Sequence, residues 1–280
     1  MRRRTASANA DALCRNPVTL APWGLCYHPR VTARLIQLTD PHLYGDAAAT
    51  LRGIATLPAL ERALAHALAH HGDAAAILVT GDLVQDDPGG YAHIRRLFGR
   101  LGKPVYCIAG NHDLVGPMHA ALAGAPFEID GHFDIGRWRV VLLDSSVPGT
   151  ASGRLAADTL ARLDATLGAA ADRAALVCLH HHPVDMDSLW LDQVGLGNRD
   201  EFLAVIDRHP QVRAILWGHV HQEYDGARGG VRLLATPATC AQFLPHAAQF
   251  AIDPKPPAYR VLTLHDDGRI DTQVEWLAPA

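Results

Sequence analysis

The chain has no long apolar run and no excess of positive charge. No stretch approaches the roughly eighteen consecutive apolar residues that a membrane-spanning helix requires. The formal net charge is -4, whereas proteins that follow nucleic-acid backbones usually carry a clear positive excess. We therefore expect no membrane span and no nucleic-acid partner, although bound cations would still create a local positive field.

Cysteine is sparse, and its pattern does not suggest pairing. The 280 residues include five cysteines, an odd number, without a CxxC motif. Such scattered cysteines argue against a disulfide framework and fit a reducing compartment. Three arginines follow Met1, as in a secretory leader, but polar residues interrupt the next segment before any adequate apolar core forms. We therefore expect a cytoplasmic protein.

The hydrophobic fraction of 49% and the charged fraction of 19% are typical of a globular protein with a large core. Residues 1–32 show no sustained periodicity, which predicts a loosely ordered N-terminal extension before a single domain at residues 33–280. Strands are predicted at residues 33–39, 76–80, 104–109, 127–134, 137–144, 174–180, 212–217, 222–224, 231–235, 259–265 and 270–276. Helical patterns lie at residues 54–68, 91–101, 155–167 and 199–208. This alternation, with antiparallel pairs added, predicts a mixed α/β fold.

Residues able to bind metals follow five of the predicted strands. They are Asp40 and His42, then Asp82, then Asn111, His112 and Asp113, then His180, His181 and His182, and finally His219 and His221. In α/β sheets, sites form where loops leave the carboxyl ends of the strands. One site built from five loops is the simplest interpretation of this pattern.

The residue types suit a two-metal centre. Carboxylates, an amide oxygen and imidazoles are ligands for hard or borderline divalent ions such as Mn, Fe or Zn, and no cysteine joins the set. Two cations that share a carboxylate can activate a bridging hydroxide and hold the attacking and leaving oxygens of a phosphate. A single Asp at a strand end would more simply be a helix cap or turn residue. The whole set, not any one member, therefore carries the prediction.

The order D-x-H, GD, GNHD, HHP and GHxH resembles the calcineurin-like metallophosphoesterase superfamily. The resemblance implies a four-layer α/β/β/α sandwich with two central mixed β-sheets, and two divalent ions, Fe or Mn, with Zn or Co as alternatives. It implies that Asp40, His42, Asp82 and His221 hold one metal, and that Asp82, Asn111, His181 and His219 hold the other. His112 would steady the phosphate and protonate the leaving oxygen.

Three consecutive histidines compete for one ligand position. His181 is preferred because the first His of the family's His-His-Pro pattern is the ligand. His180 is then expected to point into the sheet, and His182 to lie behind the ligands.

Longer stretches resemble bacterial class III cyclic-nucleotide phosphodiesterases more closely. They are residues 179–183, 190–193, 218–223, 233–240 and 242–243. The GDxxDRG pattern of Ser/Thr protein phosphatases is absent, since Gln85 replaces its second Asp. The resemblance implies hydrolysis of 3',5'-cyclic AMP to 5'-AMP. The alternatives are broader specificity, including 2',3'-cyclic nucleotides, and an inactive scaffold.

Contacts to the rest of the substrate are less defined by the sequence. Asn111 and His112 would meet the phosphate, and residues 185–198 could overhang the site. Trp190 could stack on a purine, although a packing anchor is the simpler role. Asn198 and Arg52 are candidate sugar or phosphate contacts, with surface roles as the simpler alternative. The resemblance also allows a homodimer, but no stretch of sequence identifies an interface.

Overall fold

The computed structural model describes residues 31–278. Residues 1–30 of the predicted N-terminal extension therefore lie outside the described residues. The strands are β1 Val31–Leu38, β2 Thr50–Leu51, β3 Ile54–Ala55, β4 Ala76–Thr80, β5 Val105–Ile108, β6 Phe127–Ile129, β7 Gly131–Ile135, β8 Trp138–Leu142, β9 Ala174–Cys178, β10 Val212–Trp217, β11 Tyr224–Arg228, β12 Val231–Ala235, β13 Gln242–Phe243, β14 Ile252–Asp253, β15 Ala258–His265 and β16 Ile270–Trp276. The α-helices are α1 Thr56–His71, α2 Tyr91–Phe98, α3 Val115–Ala121, α4 Ala157–Gly168 and α5 Arg199–Ile206.

Two six-stranded mixed sheets form the centre of the molecule. The first has the order β16-β15-β1-β4-β5-β6, and the second has the order β11-β12-β10-β9-β8-β7. In the first sheet β1, β4, β5 and β6 run parallel, and β15 and β16 add an antiparallel edge. In the second sheet β8, β9, β10 and β12 run parallel between antiparallel β7 and β11. Each sheet thus presents a block of parallel strand ends.

Three apolar clusters define four layers. Leu35, Leu78, Trp138, Leu176 and Leu216 are among the buried side chains between the two sheets. Helices α1, α2 and α3 pack their apolar faces on the outer side of the first sheet. Helices α4 and α5 cover the outer side of the second sheet. The four-layer α/β/β/α sandwich that the resemblance implies is therefore confirmed.

The predicted strand at residues 127–134 is wrong, because the structure divides it between the two sheets. β6 pairs with β5 in the first sheet, whereas β7 pairs with β8 in the second. Asp130 has φ 59° and Gly131 has φ 83°, so the chain turns through left-handed conformations between them. Gly tolerates this region and Asp tolerates it better than most residues. The crossing carries the chain from one sheet to the other.

The helix α3, the strand β2 and the strand pair β13–β14 have no counterpart among the predicted elements. They contain few residues, and short segments provide little periodicity to read. The predicted start of the first helix at residue 54 is wrong, because β3 occupies Ile54–Ala55 and α1 begins at Thr56. Within residues 31–278, no helix has the length and apolar character needed to cross a bilayer.

Candidate metal centre

The strand-end loops of both sheets meet at one edge. The amide of Asp40 donates to Gly81 O at 3.1 Å, and the amide of His42 donates to Asp82 O at 3.0 Å. The amide of His219, from the second sheet, donates to the carboxylate of Asp40 at 3.1 Å. These bonds join the loops after β1, β4 and β10, and they bring together motifs that lie about 180 positions apart.

Several of the predicted ligands have a left-handed backbone. The φ angles are 52° for Asp40, 47° for His42, 50° for Asp82, 67° for His219 and 49° for His221. Histidine and aspartate adopt this region infrequently, at a free-energy cost of about 1–3 kcal/mol each. Strain repeated at the same loops indicates that the fold holds these side chains toward a common point.

One group of ligand atoms surrounds His42. Its Nε2 lies 3.1 Å from His221 Nε2 and 3.6 Å from Asp82 Oδ2. His221 Nε2 lies 3.4 Å from Asp40 Oδ1, and its Nδ1 is held by Ala241 O at 2.6 Å. All four side chains are buried. The structure therefore brings together the set that the resemblance assigns to the first metal.

A second group shares Asp82. The ligand atoms of Asp82, His180 and His219 lie within 4.8 Å of one another. His219 Nε2 contacts Val194 O at 3.1 Å, which leaves Nδ1 for a metal. Asn111 Oδ1 is buried and has no hydrogen-bond partner within the described residues. Asp82 is common to both groups, as a bridging carboxylate would be.

The expectation that His180 points into the sheet is wrong. Its Nδ1 contacts Thr80 O at 2.8 Å, and its Nε2 lies 3.3 Å from Asp82 Oδ2 and 4.0 Å from Asp40 Oδ1. This ring enters the ligand cluster because Gly81 provides room: a Cβ there would meet His180 Nδ1 at 2.2 Å. The contact between Gly81 and the His180 ring is visible only in the structure, so the sequence could not predict the direction of this ring.

His181 also faces the cluster. Its Nδ1 lies 2.8 Å from Ser145 Oγ, and its buried Nε2 has no partner within residues 31–278. Its ring centroid is 4.7 Å from that of His219. His182 stacks on His219 with centroids 5.6 Å apart, behind the cluster. Both His180 and His181 thus present a ring nitrogen, and the assignment of His181 as the ligand stays a prediction.

Unpartnered buried atoms converge on this site. His42 Nδ1, Asn111 Oδ1 and His181 Nε2 are buried, and none has a hydrogen-bond partner within the described residues. Each such group costs about 1–3 kcal/mol if nothing satisfies it. Because they combine imidazoles and an amide oxygen with two carboxylates, the donor set fits divalent cations of borderline softness.

Electrostatics prepare several of these groups to bind a cation. Burial lowers the pKa of His42 to about 4 and lowers the pKa values of His181 and His219 well below the usual range. Burial alone would raise the pKa of Asp82, but the charge and hydrogen bond of His180 hold it well below its usual value. Neutral imidazoles and ionised carboxylates are the forms that bind metals.

His180 and His221 show the opposite shift. Burial opposes their protonation, but Asp82 raises the pKa of His180 to about 9, and Asp40 raises that of His221 well above its usual value. These protons neutralise two buried carboxylates. A metal ion would take over that role, so metal binding should release protons.

Cys240 lies beside the first group, although the sequence indicates no cysteine in the set. Its Sγ is within 4.8 Å of the ligand atoms of His42 and His221. The thiol contacts Asp40 O at 3.1 Å. The structure therefore places one cysteine beside the site, and the expectation that the ligand set contains no cysteine stays a prediction.

His112 lies at the rim. Its ring centroid is 5.3 Å from that of His42, and its Nδ1 lies 3.0 Å from Asp86 Oδ2 and 2.8 Å from Gln85 Nε2. The side chain is 33% exposed, in contrast to the buried ligands. Within the part of the chain that the structure describes, no hydrogen bond engages Nε2. That nitrogen is free to meet a substrate oxygen.

Asp113 holds the loop that presents Asn111 and His112. The amides of Leu83 and Gly110 donate to its Oδ2 at 3.0 and 2.9 Å. The Tyr91 hydroxyl donates to its Oδ1 at 2.9 Å. Asp113 belongs to the GNHD motif, although the sequence predicts no separate role for it. Its structural role follows from these bonds.

Trp190 and Asn198 both have structural partners. Trp190 packs edge-on against Phe243 and Phe250, with centroids 5.3 and 5.2 Å apart. Asn198 is buried, and its amide group bonds to Leu155 N and O at 3.0 and 2.9 Å. The guanidinium of Arg52 lies 4.8 Å above the ring of Phe250. Contacts of these three side chains with the substrate stay predictions. In the structure each one packs against or bonds to neighbouring residues of the chain.

Comparison with known proteins assigns the chain to a protein family. A family model described as calcineurin-like phosphoesterase matches residues 33–223, and the chain belongs to that family. The family uses a dinuclear metal centre, for which the two groups sharing Asp82 provide candidate ligands.

Individual relatives and structures agree with this assignment. The chain is 43% identical to the 3',5'-cyclic adenosine monophosphate phosphodiesterase CpdA of Pseudomonas aeruginosa, over 86% of this chain and 88% of that protein. It is 38% identical to the protein of the same name from Escherichia coli, over 88% and 90% of the two chains. A dimetal phosphatase from Danio rerio has the same fold, with a TM-score of 0.68 and 13% identity over 88% of this chain and 97% of that one.

Proposed function

We propose that this protein is a metal-dependent phosphodiesterase that hydrolyses 3',5'-cyclic AMP to 5'-AMP. The observation that carries the proposal is the pair of candidate ligand groups sharing Asp82, one with His42 and His112 and the other with His180 and His219. The relatives named as 3',5'-cyclic adenosine monophosphate phosphodiesterases, at 38% and 43% identity, support the choice of substrate.

In this proposal Asp40, His42, Asp82 and His221 hold one divalent ion, and Asp82, Asn111, His181 and His219 hold the other. Iron and manganese fit these ligands, and zinc or cobalt are the alternatives. When bound, the two ions supply Lewis acidity and an activated water at neutral pH. His180 is the rival of His181, because its Nε2 lies only 3.3 Å from Asp82.

His112 is the general acid. Its partly exposed rim position suits contact with the departing 3'-oxygen, and Asp86 Oδ2 and Gln85 Nε2, 3.0 and 2.8 Å from Nδ1, hold the ring in place. In this role Nε2–H donates its proton to the alkoxide as the P–O bond breaks. Such proton transfer contributes about 10²–10⁴-fold in rate.

Hydrolysis of 3',5'-cyclic AMP by metal-reconstituted protein tests the proposal, beside 2',3'-cyclic AMP and a phosphomonoester. We expect the wild-type protein to produce 5'-AMP and the Asn111→Ala variant to produce none. The variant lacks Oδ1, the buried atom that would bind the second metal. Activity confined to the other two substrates would overturn the assignment to 3',5'-cyclic AMP. An absence of turnover with every substrate would favour a scaffold.

A further inference from the structure

A large cleft opens beside His112 and Asn111. Its volume is about 740 Å³, within the range of roughly 300–1,000 Å³ that small-molecule sites occupy. One wall is the start of α3 and the loop before it, residues 114–117, and the other is the loop at residues 146–151. We call this space the His112 cleft. Three other cavities have volumes of about 170, 210 and 220 Å³, below that range.

The loop wall of the cleft is built as a defined turn. Thr150 N donates to Val147 O at 3.2 Å, with Pro148 and Gly149 between them. Gly149 has φ 75°, as the third position of a type II turn requires. At the base of the loop, the amide and hydroxyl of Ser146 donate to Asp144 Oδ1 at 2.8 and 2.6 Å. The wall is therefore fixed by its own hydrogen bonds.

The facing wall is equally well anchored. The amide of Leu114 bonds to the Tyr91 hydroxyl at 2.8 Å, and the same hydroxyl donates to Asp113. Asp113 also holds the loop that carries Asn111 and His112. The phosphate-binding end and the α3 wall are thus parts of one hydrogen-bonded unit.

The side chains that line the cleft indicate which kind of ligand it can bind. Leu114, Val115, Pro117, Val147 and Pro148 make both walls largely apolar, with the hydroxyls of Ser146 and Thr150 as a few polar points. Apolar walls with few polar groups suit a flat, uncharged ring system. The lining contains no lysine or arginine, and it contains the carboxylate of Asp86. A second phosphate would be repelled, whereas the neutral nucleoside end of a monophosphate diester would not.

The aromatic group on the other side of the site is a weaker host. Trp190, Phe243 and Phe250 already pack against one another with centroids 5.2–5.3 Å apart. Phe243 stacks on His221 at 3.9 Å, and the guanidinium of Arg52 covers a face of Phe250. Phe250 is 41% exposed, so the free surface of this group lies mainly on that one ring, beside the positive charge of Arg52.

We propose that the His112 cleft binds the nucleoside part of the cyclic nucleotide, and that residues 114–117 and 146–151 set the preference for nucleotides over small diesters. This inference rests on the proposed function, because it assigns a site to the substrate of that reaction. It moves the base away from Trp190 and Asn198, toward two loops for which the sequence gives no binding signal.

The test compares two substrates in variants that fill the cleft. Val115→Trp and Val147→Trp place an indole on either wall, and Ala151→Trp does so at the exposed rim. We expect each variant to raise KM for 3',5'-cyclic AMP by about tenfold or more, while kcat/KM for methyl p-nitrophenyl phosphate changes by less than about twofold. The small diester requires the metals but not the cleft. Leu189→Trp, on an exposed residue near Trp190, is the matched control and should change neither value.

The outcomes separate this inference from the proposed function. If wild-type protein cleaves methyl p-nitrophenyl phosphate but not 3',5'-cyclic AMP, the proposed function fails and this inference falls with it. If wild-type protein cleaves both, an unchanged KM for the nucleotide in all three cleft variants overturns the inference alone. An equal loss for both substrates also overturns it, since the cleft would then not distinguish nucleotides. A raised nucleotide KM in Leu189→Trp, without one in the cleft variants, would place the base on the opposite side.

Discussion

Ser145 and His181 form a buried hydrogen bond, with Oγ and Nδ1 2.8 Å apart. The bond fixes the orientation of the imidazole and leaves its buried Nε2 without a hydrogen-bond partner among residues 31–278. Gly153 supports the same ring from behind, since a Cβ there would meet His181 Cγ at 2.3 Å. Partners of this kind set the tautomer and direction of metal-binding histidines.

We expect Ser145→Ala to weaken binding of the second metal by about 10–100-fold, because the His181 ring would lose its orienting bond. Metal content after dialysis against graded chelator measures the effect. Ser152→Ala is the matched control, since that hydroxyl bonds to Gln193 O instead of an imidazole. If Ser145→Ala retains both metals while His180→Ala loses one, His180 and not His181 is the ligand.

The general-acid role of His112 predicts a dependence on the leaving group. His112→Ala should reduce kcat for 3',5'-cyclic AMP by about 10²–10⁴-fold, because the departing alkoxide needs a proton. The loss should be much smaller for bis(p-nitrophenyl) phosphate, whose phenolate leaves without protonation. Metal content must stay at the wild-type level for the comparison to hold. Equal losses on both substrates would instead indicate that His112 binds the phosphate.

Metal removal should lower the stability of the protein as well as its activity. The buried unpartnered atoms of Asn111 and His181 would be satisfied by cations in the loaded protein. A ligand at 100 times its Kd stabilises the folded state by about 2.7 kcal/mol. We expect the melting temperature to rise by several degrees on reconstitution with Mn²⁺, measured by calorimetry. Asp82→Ala, which removes the shared carboxylate, should show little of this rise.

The sequence predicts the ligand loops well because each follows a continuous apolar strand. Asp40 and Asp82 are recognisable as strand-end residues, and the two sheets bring His219 to Asp40 as expected for one shared site. The orientation of His180 was not predictable, since it depends on Gly81 leaving space beneath the ring. Periodicity describes which residues are buried, and it does not describe where a buried polar ring points.

Non-local features account for the other differences. The crossing at Asp130 divides an apparently continuous strand, because its two halves pair with different sheets. Cys240 reaches the site through a loop after β12, and its spacing resembles no metal motif. The walls of the His112 cleft come from two segments, residues 114–117 and 146–151, whose apolar side chains look like ordinary core residues. Such proximity is a property of the tertiary structure.

Asp130, where the chain crosses between the two sheets, should make the stability of the protein fall as the pH rises. Burial, with a contribution from nearby Asp144, raises the pKa of Asp130 to about 7. Its Oδ1 has no hydrogen-bond partner within the described residues. Because the folded pKa exceeds the unfolded value of about 3.9, the folded state binds more protons between pH 4 and pH 7. The contribution of Asp130 to stability is therefore present below pH 4 and is lost as the pH rises toward 7.

Asp130→Asn should remove this dependence, because the amide has nearly the same shape and does not ionise. Asn also tolerates the φ of 59° at this position. We expect the urea midpoint of the metal-free variant to exceed that of the wild type at pH 8, and to match it closely near pH 4. Glu128→Gln, an exposed carboxylate on β6, is the control and should leave both midpoints unchanged. A variant that is destabilised equally at both pH values would show that Asp130 acts through its shape at the crossing and not through its charge.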